Sequence, residues 1–139
     1  MTINEKQDQL IEDFSLFDDW ADKYAYMIEL GKKLGSIDEQ HKIEQNIIKG
    51  CQSNVWLIAE KKEDGLINFA ADSDAIIVKG LVYMLLQVLS GHTAKEILET
   101  DLYFMKEIGM SQHLSPTRSN GLVAMIKQMK FYAVAFSAA

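Results

Sequence analysis

Val55-Trp56-Leu57-Ile58-Ala59, the polar run Glu60-Lys61-Lys62-Glu63-Asp64-Gly65, and then Leu66-Ile67-Asn68-Phe69-Ala70 form the stretch on which the fold turns. Val55, Leu57 and Ala59 alternate with Trp56 and Ile58, the period of a strand with two distinct faces. The second apolar segment resumes an extended pattern after an Asp-Gly step. Two such runs joined by a turn containing Asp-Gly predict an antiparallel hairpin. Ile47-Ile48, just upstream, predicts a third, short strand.

On both sides of this hairpin the period changes. Residues 75–90 are almost wholly apolar, interrupted by Lys79, Gly80 and Gln87. A helix apolar nearly all round is a buried one, so this is the expected central core helix. Thr93-Ala94-Lys95-Glu96 reads as a capping box opening a short helix to Glu99. Another short helix is expected over residues 101–108, stopped at Gly109. Ser115 then caps a final helix, with Pro116 at its first position, where a missing N–H costs nothing. Its apolar residues run from 122 to 136. Upstream, Leu10, Ile11 and Phe14 mark an amphipathic helix over 4–14. A second opens at Asp18-Asp19 and carries Trp20, Tyr24, Met27, Ile28 and Leu34 on its apolar stripe. The chain breaks at Gly35-Ser36-Ile37-Asp38 and stays polar and irregular to Gln45. The expected class is α+β: a small antiparallel sheet of about three strands with helices packed against it.

The 139 residues fit one domain, 1–139, with no internal repeat or Pro/Gly-rich linker. Twenty acidic residues against 14 basic ones leave a net charge of −6. That balance disfavours nucleic acid, whose phosphates call for a basic surface, and disfavours anionic lipid. The longest uninterrupted apolar runs, Leu81 to Leu86 and Phe131 to Phe136, are six residues each. A membrane span takes about 20. The first residues, Met1-Thr2-Ile3-Asn4-Glu5-Lys6-Gln7, hold no apolar segment of the signal-peptide kind. These features predict a cytoplasmic protein with no membrane partner.

Cysteine usage narrows the chemistry. One cysteine, Cys51, cannot form an internal disulfide and suits a reducing compartment. It also leaves no thioredoxin-type pair, zinc ribbon or self-sufficient iron–sulfur site, so neither a metal nor a cofactor is expected. Lone cysteines are commonly small buried hydrophobes. Cys51, however, is flanked by Gly50 and by Gln52-Ser53-Asn54, all tolerant of turns, which puts it at a loop tip between strands. A hydrolytic thiol would need an imidazole to take its proton. None of His41, His92 and His113 belongs to a recognisable catalytic motif. A thiol without its own base can still accept sulfur from a partner that activates the donor, ending as a persulfide.

Three segments carry a family resemblance: Gly50-Cys51-Gln52-Ser53-Asn54-Val55-Trp56, Ala71-Asp72-Ser73-Asp74-Ala75-Ile76-Ile77-Val78-Lys79-Gly80-Leu81, and Gln112-His113-Leu114-Ser115-Pro116-Thr117-Arg118-Ser119-Asn120-Gly121-Leu122. In order and spacing they closely resemble the SufE family of sulfur acceptors, as do Trp20-Ala21-Asp22-Lys23-Tyr24 and Ile28-Glu29-Leu30-Gly31. The resemblance implies a fold shared with IscU-type scaffolds and a persulfide acceptor at Cys51. It implies a pyridoxal-phosphate cysteine desulfurase (SufS-like) as donor, stimulated by this protein. It further implies an iron–sulfur scaffold (SufBCD-like) as recipient, and leaves room for a homodimer. The chain would then be an acceptor and activator rather than a stand-alone enzyme. A CsdE-like acceptor for a different desulfurase and a non-catalytic activator remain alternatives.

Four residues are expected to support the thiol. Asp72-Ser73-Asp74 should cap the core helix, with Asp74 orienting the cysteine loop or touching the partner. Arg118, in the first turn of the last helix where the dipole disfavours a cation, is either a solvated surface arginine or pairs with Asp72, Asp74 or the partner enzyme. Asn46 and Gln52 should hydrogen-bond the loop backbone. Lys49 and Lys79 are expected to be solvated, with Lys49 the alternative aid to a thiolate. A persulfide in the open is stripped by small thiols, so Cys51 should be largely shielded at rest and its pKa raised.

Overall fold

The computed structural model describes residues 1–138 and builds the domain around the hairpin. Strand β1 (Val55–Lys61) pairs antiparallel with β2 (Leu66–Ser73), with Leu57 opposite Ala71 and Ala59 opposite Phe69. Val55, Leu57, Ile67, Phe69 and Ala71 are buried on one face. Trp56, Glu60 and Asn68 lie on the other, the apolar-in, polar-out alternation of a half-covered sheet.

The third strand is not the expected one. Ile47 makes only an isolated bridge to Trp56, while β3 (His92–Thr93) adds to the far edge of β2. Two residues carry no period of their own. Their pairing is set by the core helix returning the chain to that edge.

Helices cover the buried face. Chain order is α1 (Ile3–Phe14), α2 (Trp20–Gly31), the hairpin, α3 (Ile76–Leu89), β3, then α4 (Ala94–Glu99), α5 (Phe104–Ile108), α6 (Met110–His113) and α7 (Pro116–Ser137). Two short 3₁₀ turns, Glu39–His41 and Glu44–Asn46, occupy the polar stretch before the sheet. The expected caps are present: Thr93 and Glu96 form a reciprocal box, and Ser115 Oγ accepts from Arg118 N–H with Pro116 at the first position. Helix α6 has no counterpart in the sequence pattern, and α5 begins only at Phe104.

Helix α3 is the core element, with Leu81, Met84, Leu85, Val88 and Leu89 at 1% exposure or less. It crosses α2 so closely that only glycine fits at the crossing. A Cβ on Gly80 would stand 2.2 Å from Met27 O, and one on Gly31 would stand 2.8 Å from Gly80 N. This seam fixes where α3 starts, and so fixes the turn that faces the cysteine loop.

Candidate functional site

Cys51 sits on the segment between the Ile47 bridge and β1, immediately after Gly50. Gly50 has φ +95°, a left-handed conformation natural to glycine and costly to others. At the near end, Ile48 N–H donates to Val55 O at 2.9 Å. At the far end Asp74 takes hold. Asn54 N–H donates to its Oδ1 at 3.1 Å and Asn54 Nδ2 to its Oδ2 at 3.0 Å. Ser73 Oγ donates to Asn54 O at 2.8 Å and accepts from Ala75 N–H at 3.2 Å.

The acidic cluster therefore does not cap α3 as expected. Asp72 and Ser73 belong to β2, and the cap residue, Ala75, has no side-chain hydrogen bond. Asp74 clamps the loop instead. Asp72, at 6% exposure, pairs with Lys42 at 3.1 Å and lies 3.8 Å from Lys79. Burial would lift the Asp72 carboxyl, but the Ser73 N–H and the Lys42 ammonium outweigh it and hold it below the usual carboxylate range. Lys79 is thus half-exposed and engaged with Asp72 rather than simply solvated.

The loop rests on α7. Cys51 Sγ donates to Gly121 O at 3.5 Å, and a Cβ on Gly121 would stand 3.4 Å from that sulfur. Gly50 approaches Ala124 in the same way, at 3.3 Å from a would-be Cβ. Two small residues one turn apart on α7 let the loop lie flat.

Beneath Cys51 opens a cavity of about 350 Å³. Val55, Val78, Leu81 and Met125 give it an apolar floor; Gln52, Ser53, Ser115, Thr117 and Arg118 give it a polar rim. The thiol is half-buried, less enclosed than expected, and burial raises its pKa above the ordinary thiol value. That burial favours the protonated thiol over the thiolate, the form that reacts.

Arg118 reaches the same cavity, and of the two arrangements open to it the internal pairing is not made: no ion pair among the described residues includes it. It is exposed and open to an incoming group. Asn46 does not hold the cysteine loop; its Nδ2 donates to His41 O at 2.8 Å and ties the two 3₁₀ turns together. Gln52 lines the cavity with an exposed side chain that makes no hydrogen bond among the described residues. Lys49 is exposed and lies 3.8 Å from Glu44. The residues that sequence reasoning missed are Asn54 and Gly121. A glycine inside an otherwise strong helix was the available signal for the second, since it costs about 1 kcal/mol against alanine.

No imidazole lines the cavity among the described residues. His92 is buried 3.6 Å from Glu96. His113 stacks on Trp20 at 4.1 Å, while its carbonyl accepts from the Tyr24 hydroxyl. No group of three or more potential metal ligands is present among the described residues, and no described helix is long and apolar enough to cross a membrane.

Taken together these features define a single-thiol α+β domain, its cysteine carried on a short loop over a half-apolar cavity. The chain belongs to the SufE family: that family's pattern, an Fe-S metabolism associated domain, matches residues 8–133. Its place is therefore in iron–sulfur metabolism. An uncharacterised SufE-like protein of Rhizobium meliloti (strain 1021) is 44% identical over 127 residues, covering 88% of this chain and 91% of that protein. Another from Rhizobium etli is 42% identical, covering 88% and 86%. A solution structure of a hypothetical protein from Thermus thermophilus shares the fold at a TM-score of 0.78, with 20% identity and coverage of 96% and 97%.

Proposed function

We propose that the protein is a sulfur carrier that holds a persulfide on Cys51. The donor is a PLP-dependent cysteine desulfurase, which the carrier stimulates by relieving it of sulfur, and the recipient is an iron–sulfur cluster scaffold. The observation that carries this reading is the setting of the one thiol. It is quiet at rest and half-shielded by α7, and it rides on a loop whose polar fastening is exposed to water.

The chemistry needs no base from this chain. The Cys51 sulfur attacks the terminal sulfur of the donor's persulfide and forms a new S–S bond. The donor's S–S bond breaks, and its sulfur leaves as a thiol with the proton that Cys51 gives up. No electron is gained or lost overall, and each transfer is an ordinary exchange at an accessible sulfur–sulfur bond. The apolar floor suits the loaded state, because it keeps small thiols away from the sulfane sulfur. Arg118 at the rim offers a cation to the anionic form of the persulfide or to a partner carboxylate.

Mass spectrometry after incubation with a cysteine desulfurase and cysteine tests the reading. The expected result is one added sulfur atom on the peptide containing Cys51, absent from Cys51→Ser, together with loss of stimulated sulfide release in that variant. A Cys51→Ser protein that stimulates the desulfurase fully would select the non-catalytic activator instead.

A further inference from the structure

On the side of α7 opposite the core, Val123, Phe131 and Val134 are 50%, 63% and 52% exposed. With Lys127 between them they recur at spacings of four, four and three residues, so they share one face of the helix. The helix's core face is already used by Leu122, Met125, Met129 and Ala133. Val123, Lys127 and Phe131 of this stripe form one wall of a groove of about 1040 Å³, whose other wall is Ile47, Ile48 and Lys49, the root of the cysteine loop. Gly50, the next residue, touches Ala124 on α7. Anything seated in this groove bears directly on the segment that carries Cys51.

Charge indicates what fits. Across its 22 residues α7 has three cations, Arg118, Lys127 and Lys130, and no carboxylate, in a chain of net charge −6. At the groove itself two cations stand, Lys127 and Lys49, the latter 3.8 Å from the carboxylate of Glu44, which also lines it. A second copy pairing two-fold through this face would bring together two faces that both carry cations and, on α7, no carboxylate. A lipid surface would have to accept an acidic protein and a concave face.

We infer that this groove is a docking surface for the protein that loads Cys51, which would present an apolar ridge bordered by carboxylates. The inference rests on the carrier reading above and adds to it the place of contact. Docking there would grip Ile47–Lys49 from behind and free the loop tip to turn out of its cavity. Lys127 and Lys49 would steer the acidic ridge into register.

The test uses full-length Phe131→Glu and Lys127→Glu, with Phe131→Ala as a milder variant, against the host's own cysteine desulfurase. Melting temperature and the alkylation rate of Cys51 in the free protein should match wild type, because none of these side chains is in the core. Affinity for the desulfurase and the rate of sulfur loading at limiting carrier should each fall at least tenfold in the two Glu variants, and less in Phe131→Ala. Wild-type binding should weaken as salt rises. If wild type takes up sulfur and the Glu variants bind and load equally well, the docking surface is overturned while the carrier reading stands. If wild type binds without acquiring sulfur and the variants fail to bind, the carrier reading falls and the docking surface stands. Sedimentation with anionic vesicles, or a dimer that the variants dissociate, combined with unchanged desulfurase binding, would overturn the inference in favour of lipid or a second copy.

Discussion

In two segments of this molecule one polar side chain makes several of the fastening hydrogen bonds, and the two do so in opposite ways. Residues 101–104, the link after α4 and the first residue of α5, are held by Gln7, which is fully buried. Gln7 Nε2 donates to Asp101 O at 3.0 Å, and its Oε1 accepts from Tyr103 N–H at 2.8 Å and Phe104 N–H at 3.1 Å. The Gln7 amide and the Phe104 N–H are out of reach of water, so breaking the contacts leaves buried polar groups unpaired. The cysteine loop is held by Asp74, whose bonds to Asn54 are exposed. Water can replace each of them at little net cost. One fastening is made to stay closed; the other is made to be exchanged, as a loop that must leave its cavity requires.

The largest effect expected from breaking this contrast is at Gln7. Gln7→Ala strands two backbone N–H groups and should cost about 2–4 kcal/mol. The fall in melting temperature should be on the order of 10 °C. The alkylation rate of Cys51, measured well below the melting temperature, should not change. An unaltered melting temperature would show that the buried fastening contributes little.

At Asp74 the pattern should invert. Asp74→Ala should cost about 1 kcal/mol or less, since its bonds are solvent-exposed, while Cys51 alkylates several-fold faster. The pH dependence sharpens this. Burial raises the folded-state pKa of Cys51, so the thiol's contribution to stability is present below the ordinary value of about 8.5 and is lost as pH rises from there towards the folded value. In wild type the alkylation rate should therefore climb with an inflection above about 8.5; in Asp74→Ala it should move back towards that value. Identical profiles would mean that Asp74 does not hold the loop down.

The smallest effect belongs to Gly121. Alanine there relieves a helical glycine, which should raise stability by up to about 1 kcal/mol. Its methyl would sit 3.4 Å from Cys51 Sγ, in ordinary contact. A slightly higher melting temperature with slower alkylation is expected. Faster alkylation would show that the loop has been lifted.

Much of the fold was legible because its signals are local. The hairpin announces itself through alternation and Asp-Gly, α3 through its length of apolar residues, and α4 and α7 through caps within four residues of one another. Cys51 was legible as the candidate site because glycine and polar neighbours set it off from any apolar stripe. What was not legible depends on partners distant in sequence. Asn46 is one example: it faces the loop in sequence but turns back to His41 in space. Arg118 is another, left without the internal carboxylate that its helix position suggested.

The sequence by itself determined the hairpin, the helices α1, α2, α3, α4 and α7 and their order, the family and the identity of the one thiol, since these follow from residue type, short-range periodicity and motif. Only the tertiary structure decided that β3 rather than Ile47-Ile48 completes the sheet, that Asp74 grips Asn54 while Asp72 pairs with Lys42, and that Cys51 lies on Gly121. The physical reason is range. A strand period or a cap is written within a few residues, whereas the loop's resting place depends on a carboxylate 20 positions away and a backbone carbonyl 70 positions away that the packed core brings to it.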